Sequence, residues 1–288
     1  MEVRPESKTG QNISVDQARE IRRNAALRPK LGLRRVYLIP NAEAFNEESA
    51  NALLKTLEEP SDFVTLLLCA PGPSQVLPTI RSRCQIVRFG LAAPEELAEA
   101  LQAAGTEPEA ARALARASGG RPGLALTWAQ EPSALRQRAR VLELFAGALS
   151  AQRRARDEPQ VGILSLRLAE QLRGLAGPEK GEEDGPARPA KALHSENLET
   201  GLSYLRDLLL LAGGASAELA QNQDRLSELI DLAGHTDPGR VLDDVRAVRE
   251  AQQFLERNVA PQLVLERMFW GLISGAVSSQ PGLFRDAL

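Results

Sequence analysis

Aromatic residues make up only 4% of the 288-residue chain, too few for a row of base-stacking platforms along single-stranded nucleic acid. Cysteine and histidine are scarcer still. Cys69 and Cys84 cannot staple a disulfide scaffold, and they predict a reducing compartment, read here as the cytoplasm. A Cys/His zinc site would need both to converge with His194 and His235 from distant parts of the chain. No run reaches the roughly 18 consecutive apolar residues of a membrane span, and the first residues lack the apolar core of a signal peptide. Charge of one sign is not in excess. Thirty-five basic residues against 38 acidic give a net charge of −3, which argues against wholesale polybasic coating of DNA and leaves room for a local patch. A chain with 22 glycines also contains no G-x-x-x-x-G-K-[ST] phosphate loop.

What is present is 43% hydrophobic and 25% charged residues, ordinary for a globular protein, at a length that suits two or three domains. The first 92 residues alternate helix and strand. Ser14 with Gln17 three residues on fits a capping box, and Pro29 closes the helix that follows. Val36–Ile39 is a continuous apolar run, the pattern of a strand buried on both faces. Asn46 can cap a second helix whose stripe is Ala50, Leu53, Leu54 and Leu57, ended by Pro60. Phe63–Cys69 and Ile86–Phe89 predict two more strands. Strand–helix–strand order implies parallel pairing through a right-handed crossover. From Pro94 onward only helices are predicted: 94–104, 107–117 and 123–130 as a three-helix unit, then 132–174, 196–213, 215–233, 237–257 and 261–276. Residues 175–191, extending toward 195, are Gly-, Pro- and charge-rich and predict a disordered loop. The resulting domains are 1–92 (α/β), 93–131 (three helices) and 132–288 (all-helical).

The run Asn51-Ala-Leu-Leu-Lys-Thr-Leu-Glu-Glu-Pro60, followed by Ser82-Arg83-Cys84, carries the most information. Spacing alone leaves Arg83 open between a surface residue with a local ion pair and a phosphate-directed guanidinium. The latter is permanently charged and presents a fork that suits phosphate oxygens. Cys84 reads as a small buried hydrophobe, and Lys55, Glu58 and Glu59 as a solvated helix face. Together the two motifs resemble the AAA+ module of the bacterial clamp-loader subunits of DNA polymerase III. Asn197–Leu211 and Asn258–Glu266 resemble the collar domain of the same family. The implied architecture is the C-terminal part of an AAA+ (RecA-like) parallel sheet domain, a three-helix lid and a helical collar. The resemblance implies that Arg83 is an arginine finger, supported by Ser82 and Cys84, acting on ATP held by a neighbouring subunit.

The chain also departs from the ATP-hydrolysing members. Pro40 and Asn41 stand where those carry an acidic pair, Ala70 where they carry a sensor threonine, and Gly123 where they carry a sensor arginine, with Arg121 two residues away. Neither Pro40 nor Asn41 can ligate a cation as a carboxylate would, or act as a general base. With the missing phosphate loop, these losses predict a non-hydrolysing chain of the delta-prime type, with no cofactor of its own. Its expected partners are the gamma/tau and delta subunits, with ATP and magnesium on a partner, and the sliding clamp and primed DNA reached through the complex. The rivals are a gamma/tau-type ATPase with a truncated sequence and a degenerate AAA+ interaction module. The resemblance further implies that Met1 falls near the second strand of the usual sheet. A zinc module would then lie in a preceding segment, and the sheet would be gapped between Phe63–Cys69 and Ile86–Phe89. Residues 1–92 would in that case be poorly packed or lean on another chain, whereas 94–288 should fold normally. The basic run Arg136, Arg138, Arg140, Arg153, Arg154 and Arg156 and the acidic stretch Glu179–Asp184 read as solvated surface, with a DNA-facing role for the arginines as the alternative. Phe269, Trp270, Leu263, Leu265 and Leu272 read as helix core, part of which could face another subunit.

Overall fold

The computed structural model describes residues 12–29, 32–152, 158–176 and 190–275. The chain divides at Gly90–Leu91 into two compact units.

The first unit contains α1 (Val15–Ala25), β1 (Arg35–Ile39), α2 (Glu47–Glu58), β2 (Val64–Leu68) and the single turn α3 (Pro78–Arg81). Both longer helices start as the sequence predicts. The Gln17 amide donates to Ser14 Oγ at 3.2 Å, and the Ser14 amide donates to Gln17 Oε1 at 3.0 Å. Asn46 and Ser49 close the same reciprocal box on α2. Each satisfies amides that a helix start would otherwise leave unpaired. β1 and β2 are parallel, in register from Arg35 opposite Val64 to Ile39 opposite Leu68. Ile21 of α1, Tyr37 and Ile39 of β1, Leu53 of α2 and Ile80 of α3 are buried in one cluster.

Two strand expectations need correction. β1 is buried on one face only: Tyr37 and Ile39 point into the core, whereas Val36 and Leu38 are 41% and 37% exposed. Ile86–Phe89 forms no strand. A strand exists only where a neighbour offers backbone groups to pair with, and composition cannot supply that neighbour. The described sheet therefore has two strands rather than three, and Val87 and Phe89 stand 66% and 94% exposed. On α2, Ser49 and Thr56 share the buried positions with Ala50 and Leu53, and Leu54 is only half-buried.

The second unit is helical throughout its described residues. It runs α4 (Pro94–Ala103), α5 (Pro108–Ala117), α6 (Pro122–Gln130), α7 (Pro132–Gln152), α8 (Glu158–Gly174), α9 (Ala190–Ala212), α10 (Leu226–Ala233), α11 (Pro238–Glu256) and α12 (Pro261–Ser274). Proline occupies the first helical position of α4, α5, α6, α11 and α12, where its missing N–H costs nothing. Between α5 and α6 the chain passes through Gly119 and Gly120 at φ +60° and +76°. A Cβ on Gly120 would meet the Ala92 carbonyl at 2.6 Å, so glycine is required on both counts. Phe145 of α7 and Phe269 of α12 meet in the main core with ring centroids 5.8 Å apart.

Two helix boundaries also move. α9 begins at Ala190, so 190–195, expected in a loop, are helical; residues 177–189, including Glu179–Asp184, lie outside the described residues. The helix expected over 215–233 is confined to α10. Gly214, at φ +80°, follows the end of α9, and Ala217–Leu219 and Gln223–Arg225 are 3-10 turns.

Those turns join the three-helix unit to the larger bundle. Arg138 on α7, expected on a solvated face, is 7% exposed. Its guanidinium donates to both Asp224 oxygens at 2.7 and 2.9 Å and to Asn222 Oδ1 at 2.7 Å, and lies 5.5 Å from the Trp128 ring of α6. Asn222 in turn donates to the buried Asp207 of α9. Gln221 donates to the Ala117 carbonyl at the end of α5. Arg153, Arg154 and Arg156 lie outside the described residues.

Candidate functional site

The Ser82-Arg83-Cys84 triplet follows the one-turn helix α3 rather than leading into a strand. Pro78 opens that turn and Ile80 anchors it in the core, which fixes where the next residues emerge. Arg83 is held by three groups of its own unit. Its Nε donates to Glu58 Oε1 at 2.5 Å, and its Nη1 donates to the Thr79 carbonyl at 2.9 Å and to Ser82 Oγ at 3.2 Å. Ser82 itself donates to the same Thr79 carbonyl. Nη2, with both of its N–H groups, makes no hydrogen bond among the described residues. The side chain remains 32% exposed, so the guanidinium is fixed on one edge and open on another.

Cys84 is half-buried against the core, and burial raises its thiol pKa, which makes it a packing residue and a poor nucleophile. Cys69, at the end of β2, is exposed. Both line an open cleft of about 430 Å³ between the end of β2, α3 and the extended segment 85–89, which Arg81 and Arg88 also border.

Ligands of parallel α/β sheets bind beyond the C-terminal ends of the strands. Here those ends carry Pro40–Asn41 and Cys69–Ala70. The Asn41 amide donates to Glu43 Oε1 at 3.3 Å, and Ala70 offers only a methyl group. Pro40, Asn41, Cys69 and Ala70 themselves carry no carboxylate or hydroxyl that could ligate magnesium; a carboxylate follows at Glu43, where it accepts from Asn41. Among the described residues, no group of three or more His, Cys, Asp or Glu side chains could hold a metal ion. Arg121 pairs with Glu199 of α9 at 3.3 Å, and Gly123 lies in the first turn of α6; both belong to the second unit.

The sequence did not point to Glu58. On α2 it belongs to the exposed face, and its partner lies 25 residues further along, beyond any helical spacing that could flag it. The only hint was local: two carboxylates, Glu58 and Glu59, close the helix, an end where the helix dipole disfavours negative charge.

Residues 2–92 match the family model described as DNA polymerase III, delta subunit. The family match is confined to that segment, about a third of the chain. The delta-prime subunit of Pseudomonas aeruginosa is 43% identical over 102 residues, covering 31% of this chain and 31% of that one. The delta-prime subunit of Haemophilus influenzae is 41% identical over 87 residues, covering 30% and 26%. The tau/gamma subunit of the same organism is 42% identical over 82 residues, covering 28% and 12%. The chain thus spans about a third or less of the length of these curated relatives. Residues 2–92, matched by the family model, hold both α2 and the Arg83 turn. No helix among the described residues is long and apolar enough to cross a membrane.

Proposed function

We propose that this chain is a non-hydrolysing, delta-prime-type subunit of the DNA polymerase III clamp loader, working in the cytoplasm. It presents Arg83 to ATP bound on an adjacent gamma/tau subunit. The observation that carries the reading is the open Nη2 edge of a guanidinium already fixed by Glu58, Thr79 and Ser82. A fixed positive charge aimed at a transferring phosphoryl group offsets the negative charge that spreads over its oxygens in the transition state. Residues 1–92 would be AAA+-type sheet domain, 93–131 the lid and 132–288 the collar that holds the chain in a hetero-oligomer with gamma/tau and delta. The sliding clamp and primed DNA would be engaged through that assembly. Pro40, Asn41 and Ala70 support the absence of hydrolysis on this chain.

Arg83→Ala is expected to leave the loader assembled and to slow ATP-dependent clamp loading by on the order of tenfold or more. A loading rate equal to wild type in that variant would sink the assignment. The tau/gamma match favours a second reading, an ATPase of that type. Nucleotide turnover by the purified chain alone separates the two: the delta-prime reading expects none above background.

A further inference from the structure

We propose that Glu58 is the positioning residue for Arg83. The inference rests on the trans-acting role of Arg83 and adds the group that sets its direction. An unrestrained arginine samples many rotamers, and freezing one at the moment of contact costs free energy that a prearranged side chain has already spent. Glu58 sits at the last turn of α2, whose inner face is locked in the core through Ala50 and Leu53, so its carboxylate stands on a rigid support. From there Oε1 takes the Nε hydrogen at 2.5 Å. The Thr79 carbonyl takes one Nη1 hydrogen from the side of α3, and the Ser82 hydroxyl takes another. The planar guanidinium is therefore pinned from two elements of one unit, and rotation about its long axis is blocked. Nη2 is the only nitrogen left to meet a phosphate oxygen.

The exposure of the pair decides between holding Arg83 ready and holding it back. Glu58 and Arg83 side chains are 48% and 32% exposed, so water screens their attraction. Such a pair is weak as a lock but sufficient to choose among rotamers. It also uses Nε, the position that Nη2 does not need when it meets phosphate. Holding Glu58 and binding a phosphoryl oxygen are thus compatible, and nothing has to break before the arginine acts.

The test is ATP turnover by the loader assembled from gamma/tau, delta and this chain, with clamp and primed DNA present. Four forms of the chain are compared: Arg83→Ala, Glu58→Ala, Glu58→Gln and the Glu58→Ala/Arg83→Ala double variant. Glu58→Ala should lower kcat about two- to tenfold, the range that ordering one long side chain commands, with KM for ATP unchanged. Glu58→Gln keeps a carbonyl oxygen for Nε and should recover most of that loss. The double variant should match Arg83→Ala alone, because Glu58 acts through Arg83. Glu58→Ala turning over at the wild-type rate while Arg83→Ala is slow would overturn the proposal and leave the finger intact. A faster Glu58→Ala, or a double variant slower than Arg83→Ala, would overturn it as well. Wild-type turnover in Arg83→Ala would identify failure of the finger reading itself.

Discussion

Asp244 on α11 is a carboxylate that the fold surrounds without bonding. Arg240 Nη2 lies 2.8 Å from Asp244 Oδ1, yet its N–H groups are aimed at the Gly271 and Leu272 carbonyls at 2.7 and 3.4 Å. Both carboxylate oxygens are left without a hydrogen bond. Burial raises the pKa to about 7; the nearby Arg240 lowers it in part, and Asp243 raises it. Because the folded value lies above the unfolded one, the group favours folding while protonated, and that contribution is lost as pH rises from about 4 to about 7. Asp244→Asn should therefore melt close to wild type near pH 4 and above it near pH 7. Melting curves at the two pH values check this, and a constant difference would refute it. Arg138 is the opposite case. Its bidentate pair with Asp224 is fully bonded, and those bonds hold the Asp224 carboxyl below its ordinary range despite opposing burial.

At the scale of elements, α7 packs tightly against α9 at Gly201. A Cβ added at Gly201 would stand 2.1 Å from the Phe145 ring. Alanine is the better helix former by about 1 kcal/mol, but forcing an aromatic core side chain off its rotamer costs about 1–3 kcal/mol. The clash outweighs the propensity gain, so Gly201→Ala should lower stability by up to roughly 2 kcal/mol net, read as a lower urea midpoint at constant slope. Which elements could be read from the sequence follows the range of the interaction that fixes them. The capping box at Ser14 and the cap at Asn46 were legible because donor and acceptor sit three residues apart. The proline-led helices were legible for the same local reason. Ile86–Phe89 misled because strand composition says nothing about a pairing partner. The start of α10 moved because Asn222 and Asp224, in the turn that precedes it, bond Asp207 and Arg138, many residues away. At the site, Arg83 and the adjacent Ser82 were legible as a motif, whereas its other two supports were not. Thr79 contributes only a main-chain oxygen, and Glu58 belongs to another helix.

At the scale of the whole molecule, the two units differ in core and in probes. Both tryptophans, Trp128 and Trp270, lie beyond Gly90, so intrinsic tryptophan emission reports on the second unit alone. The first unit leaves one sheet face and the 86–89 backbone open and has the smaller buried cluster. Denaturation followed by far-ultraviolet circular dichroism should therefore begin at lower denaturant than the tryptophan signal, and coincident curves would contradict independent units. The cysteines are arranged in the opposite sense. Both belong to the first unit and line its cleft, with Cys69 exposed and the Cys84 thiol less acidic than usual. Near neutral pH a thiol-reactive dye would go first to Cys69 in the unmodified chain. That places an optical reporter on the wall of the cleft, in the unit that carries the arginine and lacks tryptophan, so the natural sequence already supports a two-colour experiment in which each unit is followed separately.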